Sequence, residues 1–271
     1  MRAMKHERDR AIQPYLMATV KGLKTQVENQ KGISHFYQGI FPKEQSMVEA
    51  VPDGCVDLVF HFTGQGVGAS IGGTVLKHTP WEFSPDCECF GVRFAPGNDV
   101  LPKALTIDML VGHDITIDAD LFGSHLGEQL ANAKTLTERS HLFLAAYEEL
   151  LETEHGDEMK KRMEHYVRER ILHTNGTIAI QELIEETGYS ECYIRRIFKQ
   201  YNGISPKQFA KFVRFQHLLR LLNEQGMSSN DLCENGSYYD EAHMMKEFKQ
   251  YTGMTIEQYR KEVLPKLKGC A

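Results

Sequence analysis

Arg195 and Arg196 stand side by side, with Cys192 three residues before the first and Lys199 three after the second. On a helix this spacing gathers all four side chains on one face. A guanidinium offers a planar fork that matches guanine O6 and N7 together, and a good pair is worth about 1–3 kcal/mol of discrimination. The Lys199 ammonium suits a backbone phosphate, and Cys192 suits a base edge or a thymine methyl. The chemistry these residues support is the reading of a nucleic-acid groove by hydrogen bonding and charge.

Such a face works only if a helix is presented edge-on to its target, and the flanking residues supply that helix. Ile194, Ile197, Phe198 and Tyr201 form the opposite, apolar stripe, and Ser190 is a good N-cap. Upstream, Ile180, Leu183 and Ile184 keep helical spacing until Gly188, which supplies the positive φ of a helix C-terminus. Gly203 and Pro206 end the unit. Two short helices joined by a glycine turn, the second bearing exposed cations, form a helix-turn-helix pattern.

The same text returns about fifty residues on. Phe198, Lys199, Tyr201 and Gly203 recur as Phe248, Lys249, Tyr251 and Gly253, while Leu183 and Gly188 recur as Leu232 and Ser237. A second reading helix over 240–251 therefore offers Glu241, Ala242, Met245, Lys246 and Lys249 at matching places, with Lys246 the natural contact. Asp240, Glu241 and Glu247 oppose a polyanion, so this unit is expected to grip backbone or to bind weakly. Between the units, Phe209 to Glu224 is long enough for a connecting helix, with Phe212, Phe215, Leu218, Leu219 and Leu222 as its buried stripe.

The segments LIEETGYSECYIRRIFKQYNGISPKQF and DLCENGSYYDEAHMMKEFKQYTGMTIEQYR resemble the DNA-binding domain of AraC/XylS-type bacterial transcription regulators. The resemblance implies two helix-turn-helix units on a long helix and a double-stranded DNA partner, with RNA polymerase as a further one. Two departures fall in the second unit: Ser237 where the family prefers Gly, and Ile256 where it prefers the second proline of its G-x-x-P signature.

The chain has 271 residues, room for two domains, and a net charge of −6. Residues 157–268 hold 18 Lys and Arg against 16 Asp and Glu, a net of +2, so the remainder carries −8. No apolar run is long enough for a membrane span, and the charged start MRAMKHERDR lacks the apolar region of a secretory signal. Six cysteines without regular spacing fit free thiols in a reducing cytoplasm.

The first part reads as an opening helix from Ile12 to Val27, then short strands HFYQGIF, MVEAV, CVDLVFHF, ASIGGTVL and CECFGVRF with Gly and Pro between them. These predict a small antiparallel β-barrel or sandwich. PDGCVDLVFHF, FGVRFAPG and IDADLFG are similar to a cupin-like sensor domain found on AraC-type regulators. The expected class is α+β: an N-terminal small antiparallel β-barrel with flanking helices over 1–156, and an all-α domain with two helix-turn-helix units over 157–271.

Helices over 126–151 place Leu142, Ala145, Ala146, Glu149 and Leu150 on one face, which docks on the barrel or forms a homodimer contact. The polar stretch 152–160 reads as the linker. Cys55, His61, Cys87 and Cys89 are candidates to line a pocket for a small-molecule effector. No cofactor or metal is expected, because no HxH, HExxH or CxxC cluster occurs. The rival function, a cupin-type enzyme or an Ada-like DNA-repair protein with a helix-turn-helix arm, lacks those same ligand patterns.

Overall fold

The computed structural model describes residues 11–44, 47–83, 85–97, 101–153, 157–223, 227 and 229–268. The first element among the described residues is a six-residue helix α1 (Pro14–Thr19), where the sequence predicts one running to Val27. Lys21–Gln30 is instead strand β1, since Val20 turns extended and Gly22 takes φ +60°. Then come β2 (Ile33–Ile40), β3 (Met47–Ala50), β4 (Val56–Thr63), β5 (Gly66–Gly72), β6 (Thr79–Glu82), β7 (Glu88–Phe94), α2 (Ile107–Leu110) and β8 (Asp114–Ile117). Six strands make one antiparallel sheet in the order β1-β2-β7-β4-β5-β8, and β3 with β6 makes a two-stranded ribbon. This sheet and ribbon are the form taken by the expected antiparallel β domain.

Alternation along β2, β4 and β7 sorts side chains to two faces. Phe36, Leu58, Phe60, Phe90, Val92 and Phe94 face α3 (Leu126–Asn132) and α4 (Leu136–Thr153), which bring Leu130, Phe143 and Tyr147 into the same core. Tyr37, Val59 and Cys89 face the other way, against Val48 and Phe83 near the ribbon and Leu16 of α1. The most deeply buried row of α4 runs Leu136, Ser140, Phe143, Tyr147; of the predicted face, Leu142, Ala146 and Leu150 pack half-buried against the same core, while Ala145 and Glu149 are exposed. The aromatic pair Phe143 and Tyr147, stacked at 5.7 Å, lies at the centre of the contact between α4 and the sheet.

Of the expected linker at 152–160, residues 152 and 153 finish α4 and 158–160 open α5 (Glu158–His173); 154–156 lie outside the described residues. Asp157 caps α5 by accepting from the Met159 and Lys160 amides. The C-terminal helices follow as α6 (Ile180–Thr187), α7 (Glu191–Asn202), α8 (Pro206–Asn223), α9 (Ser229–Asn235), α10 (Glu241–Thr252), α11 (Ile256–Glu262) and α12 (Leu264–Lys268). The long helix α8 is the axle: its Phe209 meets Phe198 of α7 at 5.5 Å, and its Phe215 meets Tyr251 of α10 at 5.0 Å. One core therefore joins both helical pairs.

The two halves are packed together. Val51, between β3 and β4, is fully buried in the helical core. A Cβ on Gly54 would meet the Phe209 ring at 2.7 Å, so the 51–54 loop lies directly on α8. Gln216 of α8 donates to the Pro52 carbonyl at 3.0 Å and accepts from the Ile12 amide at 2.7 Å. Tyr15 donates to the Thr252 carbonyl at 2.7 Å.

Candidate nucleic-acid interface

The first helical pair is built as its sequence dictates. Gly188 ends α6 at φ +71°, and the Ser190 hydroxyl accepts from the Tyr193 amide at 3.3 Å to start α7. Ile194, Ile197, Phe198 and Tyr201 are buried, which turns Cys192, Arg195, Arg196 and Lys199 outward. Arg170 of α5 pairs with Glu186, which also accepts from the Tyr166 hydroxyl at 3.1 Å, tying α6 to α5. The four predicted contact residues thus share one exposed face of a capped helix.

The second pair repeats the plan with substitutions. Asp240 caps α10 by accepting from the His243 amide at 2.6 Å, and Ala242, Met245, Lys246 and Lys249 are exposed while Glu241 is half-buried. Glu247 corrects the sequence reading: it opposes no polyanion, because it occupies the buried place held by Ile197 in the first unit. Its carboxylate accepts from Arg214 of α8 at 3.1 Å and from the Tyr238 hydroxyl at 2.8 Å. Asp240 is likewise a cap. The charge balance on the exposed face of α10 is therefore more favourable to DNA than the text alone implies.

Both departures from the family pattern are accommodated. Ser237 takes φ +59°, the left-handed conformation that glycine adopts without strain. Ile256 is the buried first residue of α11, whose start is fixed by Thr255 and Gln258 bonding each other's backbone amides. Ser237→Gly should raise stability by up to about 1 kcal/mol, the left-handed penalty less glycine's extra chain entropy. Thermal melts of the two proteins check this.

The four candidate pocket residues do not gather at one place. His61 and Cys89 are cross-strand partners on the face toward the ribbon, and Cys87, two residues before Cys89, donates to the Phe62 carbonyl at 3.4 Å. Cys55 lies at the other end of β4, its amide bonded to Asp53. Burial pushes the Cys55 and Cys87 thiols up and that of Cys89 up to about 12, away from thiolate chemistry at neutral pH. Burial also lowers the His61 imidazole. Among the described residues no three His, Cys, Asp or Glu side chains are grouped as metal ligands.

Two clefts lie elsewhere. One of about 550 Å³ runs between α3 and α4, past Gln129, His141, Leu142 and Ala145. The other, about 530 Å³, has Leu101, Leu105 and Asp108 on one wall and Arg196, Lys199 and Tyr201 on the opposite one. Two of the cations predicted to contact DNA therefore also face the N-terminal half. Sequence reasoning missed this juxtaposition, and it missed the bond network around Gln216. The signal for the latter was a glutamine inside the apolar stripe of α8.

Residues 183–262 match a family described as a helix-turn-helix domain, and both reading helices fall inside that match. The chain carries an AraC-type helix-turn-helix domain. It is a DNA-binding transcription regulator. Residues 30–109 match a domain of unknown function, DUF6597, which spans most of the strands of the regulator's N-terminal half. No curated protein matches the chain.

Among solved structures, the chain is similar to the C-terminal domain of AraT, a response regulator from Geobacillus stearothermophilus. Identity is 21%, over 39% of this chain and 85% of that one, with a TM-score of 0.33. A probable AraC family transcriptional regulator from Rhodopseudomonas palustris is 24% identical over 38% of this chain and 97% of its own, with a TM-score of 0.34. An apo ToxT variant from Vibrio cholerae is 9% identical over 88% of this chain and all of its own, with a TM-score of 0.41. Among the described residues no helix is long and apolar enough to cross a membrane.

Proposed function

We propose that the regulator reads operator DNA chiefly with α7, through Arg195 and Arg196, while Lys199 of α7 and Lys246 and Lys249 of α10 hold the phosphate backbone. The observation that carries this reading is the capped, outward face of α7, where Cys192, Arg195, Arg196 and Lys199 are exposed together. The rigid α8 between the helical pairs allows one chain to engage two major-groove segments about one turn, ~34 Å, apart. Its setting is the cytoplasm, RNA polymerase is the partner at the promoter, and the protein is not an enzyme.

The N-terminal half acts as the controlling domain. Its 51–54 loop, Ile12 and Tyr15 bond α8 and the end of α10, and its α2 segment shares a cleft with Arg196 and Lys199. A small effector that prefers one arrangement of this interface shifts DNA affinity, and one that binds both equally does not. Cys89 and His61, on the ribbon-facing side of the sheet, are polar handles for such a guest. The exposed side of the 126–151 segment, with His141, Ala145 and Glu149, is the face offered to a second copy.

Selection of duplexes from a randomised library by the full chain tests the reading. Enrichment of a site with two short recognition elements about 10 base pairs apart supports it. Failure to enrich any sequence overturns it. Lys199→Ala should weaken selected and unrelated duplexes alike and reduce the slope of log K against log salt by about one.

A further inference from the structure

The two arginines of α7 are not equivalent. The guanidinium carbon of Arg196 lies 5.2 Å from the centroid of the Tyr193 ring, inside the range of a cation–π contact. Tyr193 in turn stacks on Tyr189, with centroids 4.9 Å apart and planes 27° from parallel. Residues 193 and 196 are three apart on α7, where such neighbours meet, while Tyr189 lies before the Ser190 cap and reaches Tyr193 from outside the helix. Arg195 is two positions from Tyr193 and falls off the row; among the described contacts it has no partner.

Both tyrosines border the exposed face of α7. Tyr189 precedes the Ser190 cap and is 37% exposed, while Tyr193 is half-buried with its amide tied to that cap. The second unit lacks the same device. Fifty residues on, the row reads Tyr239, His243 and Lys246. Tyr239 is 95% exposed, and the described ring contact of His243 is with Tyr238 at 5.6 Å.

We propose that Tyr193, backed by Tyr189, is a positioning residue for DNA reading: an aromatic shelf that aims Arg196 before the duplex arrives. A free arginine must give up much of its rotamer freedom to form a planar contact, and a side chain already laid on a ring has given up part of it. Arg196 is thus the prepared contact and Arg195 the adaptable one. Because α10 carries His and Lys in place of Tyr and Arg, the shelf also gives a reason for the first unit to dominate specificity. The inference rests on the assignment of Arg196 to DNA made above.

The test is a double-mutant cycle on the full chain. Its probes are a duplex enriched by the wild type from a randomised library and a scrambled duplex of equal length. Tyr193→Leu should weaken the enriched duplex by about 2- to 5-fold with little change on the scrambled one. Tyr193→Phe, which keeps the ring, should stay within about 2-fold of wild type. Arg196→Ala should cost about 5-fold or more, and adding Tyr193→Leu to it should cost nothing further.

If the two losses add, or if Tyr193→Phe behaves like Tyr193→Leu, the shelf is overturned while Arg196 keeps its contact. If Arg196→Ala binds the enriched duplex like wild type, the contact and the shelf fall together. Should Tyr193→Leu not fold, arginine-labelled NMR of the free protein decides. Ring-shifted Arg196 side-chain protons in wild type and in Tyr193→Phe support the shelf, and unshifted ones overturn it.

Discussion

Arg93→Leu is expected to cost about 3–5 kcal/mol of stability, the usual penalty for removing one member of a buried ion pair. Arg93 is 3% exposed and donates to Asp57 through Nε at 2.9 Å and to Asp53 at 2.9 Å, both carboxylates being buried as well. Tyr37, 3.4 Å from Asp57, adds a weak hydrogen bond. Without the guanidinium, two carboxylates would share an interior with no counter-ion. Chemical denaturation of wild type and variant measures the loss.

The pH dependence of that loss has a definite sign. Burial already pushes the Asp57 carboxyl up from its ordinary value, with Arg93 the chief opposing influence. Deleting Arg93 raises it further, so the folded variant holds a proton that the unfolded chain releases near pH 4. Stability of the variant therefore falls as pH rises from there through the raised pKa, and the deficit is larger at pH 8 than at pH 5. A triple variant, Arg93→Leu with Asp53→Asn and Asp57→Asn, should regain much of the loss, because the stranded charges are then gone.

The same substitution should reach the DNA-binding half. Asp53 also accepts from Gln13 at 2.8 Å and from the Cys55 amide at 2.8 Å, and Gln13 bonds the amide and carbonyl of Val51. These bonds shape the loop that lies on Phe209 and Gln216. Arg93 thus supports the contact between the halves from inside the sheet, and its loss should make α8 amides exchange faster with solvent than global unfolding alone accounts for.

How much of this was legible in the sequence follows from where each signal sits. The helical pairs announce themselves locally, since Gly188, Ser190, Gly203 and Pro206 mark their ends within a few residues of the stripe they bound. Strand β1 did not, because its pairing with β2 shifts register at Lys21/Lys24 and again at Val27/Gln30, breaking the alternation that identifies a strand. Strands β6 and β8 have only four residues each, mostly half-exposed. Glu247 was unreadable for another reason: its partner Arg214 is 33 residues away, and only the fold shows that its carboxylate points inward. For the reading face, one helical turn of sequence sufficed to find the cations. Tyr193, whose ring lies 5.2 Å from the Arg196 guanidinium, stands in that same stretch, but neither the cation pattern nor the apolar stripe singles it out.

Replacing Arg195 and Arg196 together by alanine should abolish selective binding while leaving residual attraction to any duplex. Each arginine that makes a bidentate base contact contributes about 1–3 kcal/mol of discrimination, so losing two brings an enriched site close to the level of unrelated sequence. Neither side chain is buried, and α7 keeps its Ser190 cap and its Ile194, Ile197 and Phe198 core, so folding should be preserved. The matching pair in α10, Met245→Ala with Lys246→Ala, removes one charge and one exposed thioether and should cost less and alter sequence preference little. Footprints on an enriched operator, read at fixed salt, distinguish the two. Protection lost over one recognition element in the first variant, and weakened evenly in the second, is the expected pattern. A footprint unchanged by the Arg195 and Arg196 double substitution would remove α7 as the reader and leave base recognition to α10.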